Sequence, residues 1–200
     1  INTLNFELDN YHHFVQNDED HYKIISKTRD LFNNDFNASI IELHKGFENL
    51  LGFKLTNKNP DNDKILHIII RIIRPFSNDY NPPHKDIYGS VDNKLMRTKM
   101  INFWIPICGL TKDTSLPIVP SSHLINENKI LRTRKGGLMN DNKYRVRLIK
   151  SWGKSNNLIR PKMDYGDALV FSSHLIHGLS TNEQKNKTRM SLEFRLFKEE

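Results

Sequence analysis

Polar and apolar side chains alternate along the stretch Thr188-Arg189-Met190-Ser191-Leu192-Glu193-Phe194-Arg195. Successive residues of a β-strand point to opposite faces of the sheet, so a period of two separates the two kinds of side chain. One face carries two arginines, a serine and a glutamate, and the other carries Met190, Leu192, Phe194 and Leu196. The pattern predicts a strand that covers a hydrophobic core on one side and presents polar groups on the other.

The chain after residue 64 has the same texture of short strands separated by turns. We predict strands at residues 65–73, 99–107, 117–120, 144–149, 168–171 and 188–197. Short strands with turn signals and no helical repeats between them indicate an antiparallel sandwich or barrel. Residues 1–63 contain two predicted helices, one opened by Asp18-Glu19-Asp20 and one over residues 39–51, which we expect to pack on the sheet. The expected organisation is one domain over residues 1–200, with its core in residues 64–200.

Composition excludes several classes of protein. The longest apolar run, Ile65 to Ile73, is too short to cross a membrane and suits a buried strand. The single cysteine, Cys108, rules out an internal disulfide and any multi-cysteine metal site. The start has no signal-peptide pattern, which together with the lone cysteine favours a cytoplasmic setting.

Two histidines and one aspartate are candidate metal ligands. His84-Lys85-Asp86 follows Pro82-Pro83, and His177 comes 93 residues later, before a glycine. Two imidazoles and a carboxylate form the facial triad of non-haem Fe(II) oxygenases, which leaves coordination positions open. A His-x-Asp pair alone is weak evidence, because roughly 0.6 such pairs are expected by chance in this composition. The alternative is that all three are ordinary loop and strand-end residues; His174 also competes with His177, although strand alternation favours His177.

Arg189 and Ser191 strengthen the oxygenase hypothesis. Period-two alternation places both on the polar face of the last predicted strand, shortly after His177. A guanidinium binds a carboxylate through two parallel hydrogen bonds, and a nearby hydroxyl can add a third. An open iron site beside such a receptor is what a 2-oxoglutarate-dependent oxygenase needs. The alternative for Arg189 is a solvated charge on an edge strand.

Several motifs occur in the order found in one known family. They are His84-Lys85-Asp86, Phe103-Trp104-Ile105-Pro106, Leu116-Pro117-Ile118-Val119-Pro120-Ser121-Ser122-His123, Gly166-Asp167-Ala168-Leu169-Val170-Phe171, His177-Gly178 and Arg189-Met190-Ser191. This order, from about residue 65 to 197, resembles the phytanoyl-CoA dioxygenase-like family of Fe(II)/2-oxoglutarate oxygenases. The resemblance departs at Ser121, where the family usually has glycine, so we expect that turn to differ.

The resemblance implies a mostly β fold with flanking α-helices around a double-stranded β-helix, or jelly-roll, core. It implies that His84, Asp86 and His177 bind Fe(II), and that Arg189 pairs with the distal carboxylate of the co-substrate 2-oxoglutarate. Trp104 and Asn102 would line the co-substrate pocket, with core packing as the alternative for Trp104. The implied reaction consumes O2 and 2-oxoglutarate, releases succinate and CO2, and hydroxylates a small molecule. Related halogenases replace the carboxylate ligand with a small residue, so Asp86 favours oxygenation.

The net charge of +7 is concentrated in one segment. Residues 129–162 hold eleven Lys/Arg and one acid, which gives +10 and leaves −3 for the remainder. We expect this basic insert to attract an anionic substrate, through Arg132, Arg134, Lys135, Arg145 and Arg147. The alternative is a solvated charged surface.

Two other functions fit the same sequence less well. A non-catalytic cupin-like module would hold a metal or ligand without needing both the triad and Arg189. A nucleic-acid-binding protein would use the basic insert, but only Tyr144 and Trp152 interleave aromatic rings with its charges, and no binding motif is present. Nothing in the sequence indicates an oligomeric state.

Overall fold

The largest structural element is a five-stranded antiparallel sheet. The computed structural model describes residues 7–36, 40–88, 99–153 and 157–199. The sheet contains β1 (Leu55–Thr56), β2 (Ile69–Ile73), β3 (Met100–Cys108), β8 (Leu169–Ser172) and β9 (Arg189–Lys198). Strand β9 is central: β1 and β2 pair along one side of it, β3 pairs along the other, and β8 pairs with β3. The expectation of a mostly β chain with flanking helices is confirmed.

Helices cover one face of this sheet. They are α1 (Tyr11–Phe14), α2 (Asp18–Lys27) and α3 (Ile40–Leu51). Phe47 of α3 packs on Phe103 of β3, with ring centroids 4.5 Å apart, and Phe103 stacks on Phe194 of β9 at 4.9 Å. Leu192 and Leu196 belong to the same buried cluster. The apolar face of β9 therefore forms the core, as its alternation predicts.

The opposite face of the sheet is polar, and the register of the strands decides which groups meet there. Asn102 of β3 lies across from Arg195 of β9, and Trp104 lies across from Glu193. On the other side of β9, Arg71 of β2 lies across from Ser191. The polar residues of three neighbouring strands thus share one face.

A second group of extended segments lies over this polar face. Isolated antiparallel bridges join His84 to His177, Ile118 to His177, and Ile118 to Ile159. The backbone amide of Ile149 donates to the Pro83 carbonyl at 2.8 Å, which holds the segment that carries His84. The site described below lies between this layer and the main sheet.

The basic insert forms two small two-stranded ribbons. Strand β4 (Leu131–Arg132) pairs with β7 (Ile149–Ser151), and β5 (Gly137–Met139) pairs with β6 (Asn142–Tyr144). The prediction of one strand over residues 144–149 is wrong. Asn140 and Asp141 both have positive φ, 49° and 60°, which is the geometry of a tight hairpin turn, so pairing ends at Tyr144.

Two shorter differences complete the comparison. Strand β2 begins at Ile69 rather than at residue 65, and residues 117–120 form a bridge at Ile118 rather than a strand. Ser121 adopts the left-handed conformation, φ 59°, that favours glycine. Among the described residues, no helix is long and apolar enough to cross a membrane.

Candidate metal centre

The three predicted metal ligands converge on one point. The backbone amides of His84 and His177 each donate to the other's carbonyl, at 2.9 and 3.1 Å, which brings the two rings within 4.3 Å. Asp86 follows two residues later, at the start of a 3-10 turn, and its Oδ1 lies 3.5 Å from His84 Nε2 and 3.9 Å from His177 Nε2. The ligand atoms all lie within 4.8 Å of one another, and all three residues are buried.

Backbone carbonyls fix the orientation of both imidazoles. Nδ1 of His84 lies 2.7 Å from the Pro82 carbonyl, and Nδ1 of His177 lies 3.0 Å from the Leu175 carbonyl. Because a carbonyl oxygen only accepts hydrogen bonds, each Nδ1 carries a proton, and the neutral form of each ring has its lone pair at Nε2. Burial, reinforced by the neighbouring His84, lowers the pKa of His177 to about 4, so this ring is neutral at neutral pH.

Arg195 holds the carboxylate of Asp86. Its Nε donates to Asp86 Oδ2 at 2.9 Å, which leaves Oδ1 facing the imidazoles. Burial alone would raise the pKa of Asp86, but the Arg195 guanidinium holds it well below its ordinary value. The site therefore offers two neutral nitrogen lone pairs and one anionic oxygen, a donor set suited to a divalent first-row metal.

Residues predicted to bind the co-substrate surround the same cavity. Asn102, Trp104 and Arg189 line it together with the triad. Among the described residues, both amide atoms of Asn102, Nε1 of Trp104 and Nε of Arg189 are buried without a hydrogen-bond partner. Buried polar groups are normally paired, so these atoms mark where a polar ligand would be accommodated.

Arg189 is fully buried at one end of this cavity. Its Nη1 donates to Ser191 Oγ at 2.8 Å, and its Nη2 donates to the hydroxyl of Ser180. Burial lowers its pKa to about 10, which leaves it cationic at neutral pH. Ser191 therefore lies beside Arg189, and its hydroxyl orients the guanidinium. Ser180 does the same and was missed by sequence reasoning.

Two further ion pairs lie in the cavity wall. Arg71 Nη2 lies 2.9 Å from Glu193 Oε2, and Arg195 binds Asp86 as described. Sequence reasoning gave these residues no role, although Arg71 interrupts an apolar run and Glu193 shares the polar face with Arg189. Across the described residues, no carboxylate lies within 4 Å of Arg189, so its charge is the one left unbalanced on this wall.

The basic insert forms a second cavity beside the triad. This cavity, of about 480 Å³, reaches His84 and Asp86 and is lined by Arg134, Lys135, Arg145 and Arg147. Four of the five predicted substrate-binding cations are therefore brought together. The fifth, Arg132, lies apart: its Nη1 is 3.4 Å from Glu127 Oε2 and its guanidinium stacks over the Tyr88 ring at 4.3 Å.

Two imidazoles and one carboxylate, buried and facing a cavity, define a candidate mononuclear metal centre of the two-histidine, one-carboxylate class. The family comparison agrees with this class. Residues 8–191 match the family model of phytanoyl-CoA dioxygenase (PhyH), and the chain belongs to that family. The family suggests oxygenase activity that depends on Fe(II) and 2-oxoglutarate, as the resemblance of the motifs indicated. No individual curated protein matches the chain.

Proposed function

We propose that the protein is an Fe(II)/2-oxoglutarate-dependent oxygenase that hydroxylates a small molecule and releases succinate and CO2. One observation carries the proposal. The buried triad presents the Nε2 atoms of both histidines to the same cavity as a buried guanidinium that has no carboxylate partner among the described residues. The first feature is what a metal needs, and the second is what the distal carboxylate of 2-oxoglutarate needs. Membership of the family supports their combination.

The roles of the chain's own residues follow from the geometry. His84 and His177 would bind iron through Nε2, and Asp86 through Oδ1, while Arg195 keeps Oδ2 occupied and the carboxylate ionised. Bound Fe(II), with 2-oxoglutarate and O2, supplies oxidation of a C–H bond coupled to decarboxylation of the keto acid. The protein contributes positioning and the exclusion of water from a buried site.

Charge balance in the cavity wall supports a dianionic co-substrate. Glu193 neutralises Arg71, and Asp86 neutralises Arg195, so Arg189 and a divalent metal would leave three positive charges. 2-Oxoglutarate would place one carboxylate on the metal and the other on Arg189. The unpaired amide of Asn102 and the indole N–H of Trp104 are available for the remaining oxygens.

We further propose that the fold is a jelly roll and that residues 1–200 form one domain. The main antiparallel sheet and the layer of bridged segments around His84, Ile118 and His177 support this architecture. Residues 1–63 would act as the buttress and residues 129–162 as the basic insert.

The experiment is succinate release from 2-oxoglutarate under air with Fe(II), against a panel of anionic and neutral small molecules. We expect turnover by the wild-type chain and a loss of at least about 100-fold in Asp86→Ala, because one ligand of the metal is removed. His174→Ala is the matched control: it removes a histidine three residues from His177, outside the metal cluster, and should stay close to wild type. Equal rates in wild type and Asp86→Ala, or no succinate above a protein-free background, would exclude the proposal.

A further inference from the structure

The four cations of the second cavity are held in a fixed frame. Arg134 and Lys135 precede β5, and Arg145 and Arg147 follow β6. The register Gly137↔Tyr144 closes one end of the frame. At the other end, the amide of Thr133 donates to the Leu148 carbonyl, and the amide of Leu148 donates to the Thr133 hydroxyl, both at 2.9 Å. The two cationic segments are thereby pinned opposite each other.

A close backbone approach tightens this frame further. Gly136 has φ 44°, and a Cβ built on it would lie 2.4 Å from the Tyr144 carbonyl oxygen. Only glycine fits at this point, because any side chain would collide with backbone that cannot yield. Glycine at position 136 therefore allows the backbone that carries Lys135 to approach the backbone that carries Arg145.

Four positive side chains of this cavity have no counter-charge among the residues that the structure describes. In the described part of the chain, no carboxylate lies within 4 Å of the four cations, whereas the other two cations of the cavity are paired. Lys85 binds Glu127 at 2.8 Å, and Arg195 binds Asp86. A concave site with an uncompensated charge of one sign concentrates ligands of the opposite sign.

The amount of charge and the shape of the site indicate the class of ligand. One carboxylate would need a single guanidinium, as at Arg189. Four arginine or lysine side chains suit a ligand group with two or more negative charges. Guanidinium forks match the oxygen geometry of phosphate. A cavity of about 480 Å³ also leaves room for an organic portion that reaches His84 and Asp86.

We propose that this cavity binds the phosphoryl group of the substrate, a phosphate ester or a phosphonate, and so directs the rest of the molecule to the metal centre. The assignment of this ligand as the substrate rests on the proposed oxygenase function. A small molecule fits better than a nucleic acid, because the four cations line a concavity that also reaches His84 and Asp86 of the metal site.

The test is calorimetric titration of the full chain, without added metal, with phenyl phosphate and with benzoate as the carboxylate counterpart. We expect phenyl phosphate to bind at least about 10-fold more tightly, and Arg145→Gln/Arg147→Gln to lose at least about 10-fold, as expected for charged hydrogen bonds. Lys150→Gln is the matched control. It removes one positive charge from the same insert at an exposed position outside the cavity, and should bind within about two-fold of wild type.

Equal affinity for the two ligands would overturn the proposal, as would a double variant that binds phenyl phosphate like wild type. A chain that ignores phenyl phosphate but binds a short oligonucleotide through Arg145 and Arg147 would assign the cations to nucleic acid instead. Because the titration contains no iron, its outcome is independent of catalysis. Absent phosphate binding in a chain that forms succinate would overturn this inference alone.

Discussion

Arg189→Gln is the substitution that tests the co-substrate site most sharply. The guanidinium is buried, its orientation is set by Ser180 and Ser191, and no carboxylate of the described chain neutralises it. Glutamine removes the charge and the two-pronged donor while keeping a polar group. A hydrogen bond to a charged group contributes about 1.5–3 kcal/mol, which corresponds to roughly a 10- to 150-fold weaker affinity for 2-oxoglutarate.

The assay is anaerobic titration of the Fe(II)-loaded chain with 2-oxoglutarate, followed by the visible absorption of the chelate. A second titration uses 2-oxobutanoate, which keeps the chelating keto acid but lacks the distal carboxylate. Wild type should prefer 2-oxoglutarate by roughly 10- to 150-fold, and Arg189→Gln should lose this preference. Arg189→Lys, which keeps the charge but not the fork, should fall between the two.

Lys187→Gln is the control for loss of a cation nearby. Lys187 is largely exposed and pairs with Asp9 at 3.1 Å, outside the cavity, so its removal should leave both affinities unchanged. If Arg189→Gln remained folded and still preferred 2-oxoglutarate as wild type does, Arg189 would not be the carboxylate receptor. The charge balance proposed for the cavity would then be wrong.

Three further predictions concern stability. Ser121→Gly should stabilise the fold by about 0.5–1 kcal/mol, because φ 59° is strained for serine; thermal melting should rise by about 1–4 °C, and a fall would contradict the account. Burial lowers the pKa of His177 from 6.5 to about 4, so the contribution of this ring to the free energy of unfolding is complete above pH 6.5 and is lost as the pH falls toward 4. The melting temperature of the metal-free chain should drop across that pH window, and should drop less in His177→Asn. Glu127→Gln should lower the free energy of unfolding by about 2 kcal/mol, and by more than Lys85→Met does. The first variant leaves the fully buried Lys85 ammonium without its counter-charge, whereas the second leaves a Glu127 carboxylate that is 42% exposed; equal melting temperatures of the two variants would refute this.

Local pattern was sufficient to predict the central strand and the polar face of the cavity. Arg189 and Ser191 were placed correctly because alternation alone determines the face of a strand. Arg71 and Arg195 could not be assigned roles in the same way, since their partners are distant in the chain. The register of β2 with β9 brings Arg71 to Glu193, whereas Arg195 meets Asp86 in a 3-10 turn outside the sheet.

The histidine pair and the basic insert show the limits of such reasoning. Strand alternation favoured His177 over His174, but β8 ends at Ser172, and His177 is positioned by its backbone bridge to His84, a contact across 93 residues. In the insert, alternation suggested a strand at residues 144–149. Asn140 and Asp141 adopt the positive φ of a tight hairpin turn, and this turn places the hairpin earlier in the chain than alternation suggested.

An anaerobic Fe(II) titration of the wild-type chain, His84→Ala and His177→Ala, each followed by addition of 2-oxoglutarate, decides whether the triad is a metal centre. The account predicts one iron per wild-type chain and a visible chelate band that appears only when both iron and 2-oxoglutarate are present. It predicts no band in either histidine variant. A wild-type chain that binds no iron, or a band that survives loss of His84 or His177, would contradict it.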